Sequence, residues 1–330
     1  MPVLTGLVLV LIAVVMIGMA VITPPRAATG GSGDPGPVPT LGRSLRVERW
    51  DGPPRTAVLD PAGAVLVVLT DGSRTVALAG PRRTFAEPGA TAAVVDSATW
   101  VRFVPQPWVA GADRSTWFRP WLDAALVDRS PDVLAVALEY LGTAPDRFDD
   151  TGLRIAGDAS FGPLRDDAKR AEASDFYDYL GVSWSFSDGV REEPASSRRG
   201  AVDCSGFLRL VVGYRMGFPL LGGNDPGPGL PRRAYAMAEH GPGTEILPDD
   251  GVPPADLGRL QPGDLLFFVT DDMPGIDHSA LYLGIDSDGR RRFVSSRSSL
   301  DGPTVGDGTA ASVVDGEGWF ASRFRAARRL

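Results

Sequence analysis

The chain of 330 residues contains one cysteine, Cys204, in surroundings that suit a nucleophilic thiol. Cys204 follows Asp203 and precedes a run, from Phe207 to Val212, whose apolar residues recur at helical spacing. Aspartate is a good helix N-cap, so the sequence predicts that Cys204 lies in the first turn of a helix. Unpaired backbone N–H groups and the helix dipole stabilise a thiolate in that turn. We therefore expect a lowered pKa for the Cys204 thiol.

A nucleophilic thiol needs a base that accepts and returns its proton, and the chain contains two histidines. His240 ends a predicted helix and precedes a Gly-Pro-Gly loop, which is typical of a surface residue. His278 opens an apolar segment, 278–285, and a Pro-Gly turn precedes another apolar segment, 265–269. Two antiparallel strands packed on the cysteine helix would present His278 to the thiol. The sequence therefore predicts a Cys204–His278 pair.

Three short blocks of this sequence resemble the signature blocks of the NlpC/P60 cysteine peptidases. They are Asp-Cys-Ser-Gly-Phe at 203–207, Pro-Gly-Asp-Leu at 262–265 and His-Ser-Ala-Leu-Tyr-Leu-Gly at 278–284, in the order of the unpermuted members. The resemblance implies an α+β fold with a papain-like core, in which the cysteine helix packs on an antiparallel sheet. It also implies an activity, since members typically cleave the stem peptides of peptidoglycan.

The resemblance also suggests the residues that would support the pair. In the family, a polar group on the strand after the histidine strand orients the imidazole, and Ser295 falls at that position, with Ser296 as the second choice. A serine departs from the usual His, Asn or Gln, and its hydroxyl has no charge to hold an imidazolium. Both serines are equally compatible with ordinary strand positions. A tyrosine hydroxyl near the oxyanion is also common, so Tyr177 and Tyr179 are candidates, although such an aromatic cluster is as often plain core.

The immediate neighbours of the nucleophile are candidates for substrate binding. Asp203 and Ser205 flank Cys204. The N–H of Cys204 is the better oxyanion donor, because helix N-termini present such groups without further arrangement. No cluster of cysteine and histidine has metal-ligand spacing, and no glycine-rich loop follows a strand as a phosphate cradle requires. We expect neither a metal nor a cofactor.

The beginning of the sequence predicts a membrane segment. Residues 3–22 form an uncharged apolar run of the length needed to cross a bilayer as a helix. We interpret residues 1–23 as a transmembrane signal-anchor or a signal peptide. Residues 24–42 are rich in Pro, Gly, Ala, Ser and Thr and predict a flexible linker. The protein would then act outside the cytoplasm, either anchored in the bacterial membrane or secreted to the cell wall.

The remaining sequence predicts two folded parts. Residues 43–128 carry short β-rich runs, an Asp-Gly hairpin signal at 71–72 and a final helix, which predicts a small β-rich, SH3-like domain with a joining helix. Residues 129–330 hold the three blocks and form the predicted catalytic domain. Its size predicts insertions at about 145–200 and 222–258, the second of which is rich in Pro and Gly.

Charge and motifs together favour one function over others. The formal net charge of −8 argues against nucleic-acid binding, which requires a basic face. Our leading hypothesis is a cysteine endopeptidase that hydrolyses peptidoglycan stem peptides, with Cys204 as nucleophile and His278 as general base. Two alternatives stay open. One is a non-catalytic cell-wall-binding protein with a degenerate site, and the other is an amidase or acyltransferase on the same fold.

Overall fold

A computed structural model describes residues 44–271 and 274–330 of the chain. The predicted membrane segment, 1–23, and the predicted linker, 24–42, lie outside the described residues. Between residue 44 and the last residue, excluding 272 and 273, no helix is both long and apolar enough to cross a bilayer.

The first sheet is an antiparallel meander of five strands. Their bounds are β1 Arg46–Trp50, β2 Arg55–Leu59, β3 Val65–Thr70, β4 Thr75–Phe85 and β5 Val95–Phe103. The strands lie in sequence order, each paired with its neighbours. The predicted hairpin at 71–72 is confirmed, since these residues connect β3 to β4, and Gly72 supplies the positive φ of 82° that the turn requires.

A ten-residue helix, α1 Phe118–Val127, packs on this sheet. It buries Phe118 and Leu122, which are four residues apart and therefore share one helix face. These two side chains, Trp108 and apolar residues of β2, β3 and β4 form a separate hydrophobic core. The first sheet thus has an interior of its own.

The middle of the chain contains short helices and two small hairpins. The hairpins pair β6 Arg147–Phe148 with β7 Arg154–Ala156, and β8 Trp184–Ser185 with β9 Arg191–Glu192. The remaining α-helices are α2 Val133–Leu138, α3 Phe176–Leu180, α4 Cys204–Leu208, α5 Ala234–His240 and α6 Trp319–Arg323. A π-helical segment, Arg209–Arg215, continues α4. Short 3-10 turns occur at Ala112–Arg114, Ser196–Arg198, Leu257–Arg259 and Ser298–Leu300.

The second sheet has six antiparallel strands and positions the candidate site. Its strands are β10 Thr244–Leu247, β11 Leu265–Phe268, β12 His278–Ile285, β13 Arg291–Arg297, β14 Gly302–Thr304 and β15 Phe324–Arg329. They lie in the order β10-β15-β11-β12-β13-β14. The two strands predicted around the Pro-Gly turn and His278 are confirmed as β11 and β12, which pair directly.

Strand β15 connects the second sheet to the first. Arg329 forms a buried ion pair with Asp264, 2.7 Å long, and donates a hydrogen bond of 2.6 Å to the hydroxyl of Thr70. The carbonyl oxygen of Leu330 accepts a hydrogen bond of 2.6 Å from the N–H of Arg74. All described residues belong to one compact unit. The boundary between the β-rich and catalytic parts, at 128 and 129, stays a prediction.

The prediction of an α+β fold with a papain-like core is wrong. The described residues are mostly antiparallel sheet, with 15 strands in four sheets. Their helices are short: the longest has ten residues, and the helix that begins with the cysteine has five. The composition explains this, because 40 glycines and 29 prolines interrupt helical segments throughout the sequence. The predicted N-terminal helix lies outside the described residues.

Candidate active site

Cys204 is the first residue of α4, as the sequence predicts. The carboxylate of Asp203 caps the helix by accepting a hydrogen bond of 2.7 Å from the N–H of Gly206. A Cβ at Gly206 would lie 2.3 Å from the carbonyl oxygen of Ser174, so only glycine allows this close approach of the two segments. The helix packs on β12 and β13. Contacts with the segment at Ser174 and with the sheet therefore fix the first turn of α4.

Asp203 and Ser205, the predicted substrate-binding residues, have structural roles instead. Both side chains are buried. Arg232 forms an ion pair of 2.7 Å with Asp203 and donates a hydrogen bond of 2.7 Å to the hydroxyl of Ser205. Neither residue borders the cavity at Cys204. They hold the start of α4 in place rather than face a substrate.

Cys204 and His278 border the same cavity, which has a volume of about 920 Å³. The cavity lies between the segment 161–172, the ends of β12 and β13 that carry His278 and Arg297, and residues 309–320. The structure thus brings the two predicted catalytic residues to one space, although they are 74 positions apart in the sequence.

The thiol of Cys204 interacts with the backbone and hydroxyl groups next to His278, and not with the imidazole. The Sγ atom donates a weak hydrogen bond to the carbonyl oxygen of Asp277, at 3.7 Å. The N–H and hydroxyl of Ser279 lie close enough to lower the pKa of the thiol. The hydroxyl itself makes no hydrogen bond of normal geometry to any described residue.

The imidazole of His278 lies against aromatic rings. Its centroid is 5.6 Å from that of Phe320 and 5.9 Å from that of Phe268. Its Nε2 atom is buried and has no hydrogen-bond partner in the part of the chain that the structure describes. Successive side chains of a strand point to opposite faces of the sheet. Strand β12 therefore turns Ser279 towards the thiol and His278 towards Phe268 and Phe320.

Both candidate catalytic groups are neutral at neutral pH. Burial, assisted by the negative charge of Asp203, raises the pKa of the Cys204 thiol to about 12, although the N–H of Ser279 acts in the opposite direction. The expected lowering of this pKa is wrong, because the thiol is buried and loses its hydration. Burial, assisted by the positive charge of Arg297, lowers the pKa of His278 to about 3. The resting site is a thiol and an uncharged imidazole.

The structure does not bring Ser295 or Ser296 to the imidazole. The hydroxyl of Ser295 accepts a hydrogen bond of 3.2 Å from Nε of Arg297. The hydroxyl of Ser296 donates one of 2.6 Å to the carbonyl oxygen of Val202. Continuing the pairing of β12 with β13 by three residues from Leu281 and Val294 puts Arg297, not either serine, opposite His278. The orienting role predicted for Ser295 has no support in the geometry.

Arg297 borders the cavity and is not among the residues that the sequence predicts for the site. It is the last residue of β13, directly after Ser295 and Ser296. The register of the hairpin would identify Arg297, because an antiparallel hairpin with a known turn assigns a cross-strand partner to His278. A bulge between Tyr282 and Gly284 changes that count, so the sequence by itself does not supply the partner.

The two candidate tyrosines belong to the interior. Tyr179 is buried, and its hydroxyl donates a hydrogen bond of 2.9 Å to the carbonyl oxygen of Gly157. Tyr177 is half-buried and packs edge-on against Phe176 and Phe186. Neither tyrosine borders the cavity. The core interpretation therefore applies to both. The N–H of Cys204, which has no acceptor within its own helix, is the remaining candidate for an oxyanion donor.

No group of three or more His, Cys, Asp or Glu side chains within residues 44–271 and 274–330 is arranged to hold a metal ion. Comparisons of the chain with protein-family models, with curated proteins and with solved structures find no match. The likeness of three sequence blocks to the NlpC/P60 peptidases therefore stays a resemblance.

Proposed function

We propose that this protein is a cysteine endopeptidase that hydrolyses the stem peptides of peptidoglycan. The observation that carries the proposal is the shared cavity: Cys204, at the start of α4, and His278, at the start of β12, both border about 920 Å³ of space. This volume suits a short peptide segment. The three sequence blocks support the same assignment. Such a substrate lies outside the cytoplasm, in agreement with the apolar run at 3–22.

The chemistry would begin from the neutral pair. As the sulfur of Cys204 attacks the carbonyl carbon of the peptide, the thiol proton passes to the imidazole of His278, and the N–H of Cys204 donates to the developing oxyanion. The imidazolium then returns the proton to the leaving amine, and water hydrolyses the acyl-enzyme. Because no hydrogen bond joins the two side chains, one of them must change rotamer before the proton passes.

A second candidate function is binding to the cell wall without catalysis. The same geometry favours it in one respect. The thiol is hydrogen-bonded to a backbone carbonyl, and Nε2 of His278 has no hydrogen-bond partner among the described residues. A protein of this kind would bind peptidoglycan and release no fragments.

Digestion of purified peptidoglycan, followed by mass spectrometry of the soluble products, tests the proposal. We expect the parent protein to release stem-peptide fragments with new free carboxylates. Cys204→Ala and His278→Gln should release none, whereas His240→Gln, a change at the other histidine, should leave the rate unchanged. His240 is a suitable control because it lies on α5 and its Nε2 is bonded to the carbonyl of Asn224 at 2.6 Å.

Each alternative predicts a different result in the same assay. Digestion by Cys204→Ala at the parent rate would exclude Cys204 as the nucleophile. Sedimentation of the parent protein with peptidoglycan, without any released fragment, would indicate the binding function. A product that carries a new amide bond in place of a free carboxylate would indicate an acyltransferase.

A further inference from the structure

Arg297 differs from the other buried arginines of the described residues in having no ion pair. Six arginine side chains are buried there. Five of them form an ion pair with Asp or Glu, namely Arg102, Arg209, Arg292, Arg328 and Arg329. Burying a cation without a nearby negative charge is costly. Burial lowers the pKa of Arg297 to about 10, although the more distant carboxylates of Glu87 and Asp307 act in the opposite direction.

Arg297 lies beside the catalytic residues and not in a separate part of the interior. Its guanidinium carbon is 4.4 Å from the ring centroid of Phe320, the same ring that lies 5.6 Å from the imidazole of His278. Arg297, His278 and Cys204 all border the cavity. The Nε2 atom of His278 is also buried there without a partner among the described residues. Within the described residues, the cavity wall therefore combines a buried cation that has no ion pair and an imidazole nitrogen that has no hydrogen-bond partner.

The hydrogen bonds of Arg297 all go to neutral groups. Nε donates to the hydroxyl of Ser295, one terminal nitrogen to the carbonyl oxygen of Ala310 at 2.7 Å, and the other to the hydroxyl of Ser312. These three bonds fix the guanidinium in position. A guanidinium has five N–H groups in a planar fork, so two of them are left for a further acceptor.

We propose that the cavity binds a carboxylate group of its ligand, paired with Arg297 and adjacent to His278 and Cys204. A planar guanidinium with two N–H groups to spare matches the two oxygens of a carboxylate. The inference deepens the proposed function and rests on it in one respect, namely that the ligand is the peptide whose bond Cys204 attacks. The substrate would then be a peptide that carries a free carboxylate close to the bond that is cleaved.

The other charged side chains at the cavity do not favour the binding of a carboxylate in the same way. Lys169 and Arg165 are exposed, Arg170 is paired with Asp301 at 2.6 Å, and Glu172, Asp271 and Asp277 bring carboxyl groups to the same cavity. Exposed charges of both signs attract a carboxylate little. Lys169 therefore provides the matched control, since it is a cation of the same cavity without the burial of Arg297.

Alkylation of Cys204 by a charged and a neutral reagent tests the inference, because the chain has no other cysteine. We compare the rates with iodoacetate and iodoacetamide in native protein and in urea, by intact mass. A carboxylate site should shift the rate ratio towards iodoacetate at least about fivefold on folding, equivalent to about 1 kcal/mol. Arg297→Gln should abolish the shift and Lys169→Gln should retain it. An equal ratio in native and unfolded protein, or an unchanged shift in Arg297→Gln, would overturn the inference.

A second measurement needs neither a variant nor a reactive thiol. N-acetylglycine and N-acetylglycinamide differ in the carboxylate, and a ligand of the native state raises the unfolding temperature. At constant ionic strength we expect the acid to raise the unfolding temperature of the parent protein and the amide to leave it unchanged. Equal effects of the two would contradict the inference. A protein that selects the acid but digests no peptidoglycan refutes the proposed function alone, and an active hydrolase without this preference refutes the carboxylate site alone.

Discussion

His278 connects protein stability to pH through its burial. The ordinary pKa of this side chain is 6.5, and burial together with Arg297 lowers it to about 3 in the folded protein. The unfolded chain therefore binds a proton at His278 as the pH falls below about 6.5, whereas the folded protein does not. The contribution of the neutral imidazole to stability is complete above pH 6.5 and is lost progressively towards pH 3.

Replacement of His278 by Gln should make the protein less sensitive to acid. We expect the free energy of unfolding to fall less between pH 7 and pH 4 in His278→Gln than in the parent protein, since glutamine does not titrate. Urea denaturation at several pH values measures this difference. His240→Gln should keep the pH dependence of the parent. If His278→Gln keeps it as well, the imidazole is hydrated and not buried in solution.

The sequence predicts Cys204 and His278 as candidate site residues, but it does not predict their mutual orientation. The position of Cys204 in a first helical turn and of His278 at a strand start follow from local patterns, namely a cap and a Pro-Gly turn. The identity of the β12 side chain that faces the thiol does not follow from a local pattern. A shift of one residue in β12 exchanges Ser279 and His278 between the faces of the sheet, and the hydrophobic pattern of that strand is buried on both faces, so it gives no preference.

At the scale of elements, the start of α4 depends on Asp203. This carboxylate caps the helix at Gly206, accepts a hydrogen bond of 3.0 Å from the N–H of Ala173 and pairs with Arg232. All of these interactions are out of contact with water, because Asp203 is buried. Without Asp203, only Asp175 among the described residues remains to balance the guanidiniums of the buried Arg209 and the largely buried Arg232, at 2.9 and 3.3 Å. Leaving a buried charge without full compensation costs far more than the loss of a surface pair.

Asp203→Ala should therefore destabilise the protein strongly, by about 3–5 kcal/mol. The exposed pair of Arg119 and Asp123 gives a matched control, and Asp123→Ala should cost less than about 1 kcal/mol. Urea denaturation of the three proteins measures both values. Similar losses in the two variants would mean that Asp203 is hydrated in solution and that the start of α4 is held by other contacts.

The elements that were predicted correctly are those with strong local signals. The hairpin at 71–72 and the strands β11 and β12 have turn residues at their ends and apolar residues within. The helix after the cysteine was predicted as one amphipathic run, but it changes to π geometry at Arg209–Arg215. Arg209, the first residue of this segment, is buried and its guanidinium is paired with Asp175 at 2.9 Å. Such a tertiary partner leaves no mark in the periodicity of the sequence.

At the scale of the whole molecule, the two large sheets should unfold together. Arg329, on β15 of the second sheet, is hydrogen-bonded to Asp264, directly before β11, and to Thr70, the last residue of β3 in the first sheet. All three side chains are buried. Five of the seven tryptophans lie within residues 50–121, so their fluorescence reports on the first sheet, and the accessibility of Cys204 reports on the second. Coincident transitions are the mark of a single cooperative unit.

We expect the fluorescence transition and the labelling of Cys204 to have the same midpoint in urea. Arg329→Ala should lower both midpoints together, since it leaves the carboxylate of Asp264 buried and unpaired. Arg325→Ala is the control on the same strand: its guanidinium donates only to nearby backbone carbonyls, so little change is expected. Two separate midpoints would show that the sheets are independent domains.

The position of β15 also has a consequence for the time at which the site can form. A chain leaves the ribosome N-terminal end first, at about 5–20 residues per second. Strand β15 lies between β10 and β11, and Phe324 comes 120 positions after Cys204. The cysteine is thus synthesised roughly 6–24 s before the strand that completes its sheet. During that interval β10 has no partner in the sheet and one edge of β11 is open. Cys204 is among the early parts of the candidate site to be made, and the sheet beside it is completed last.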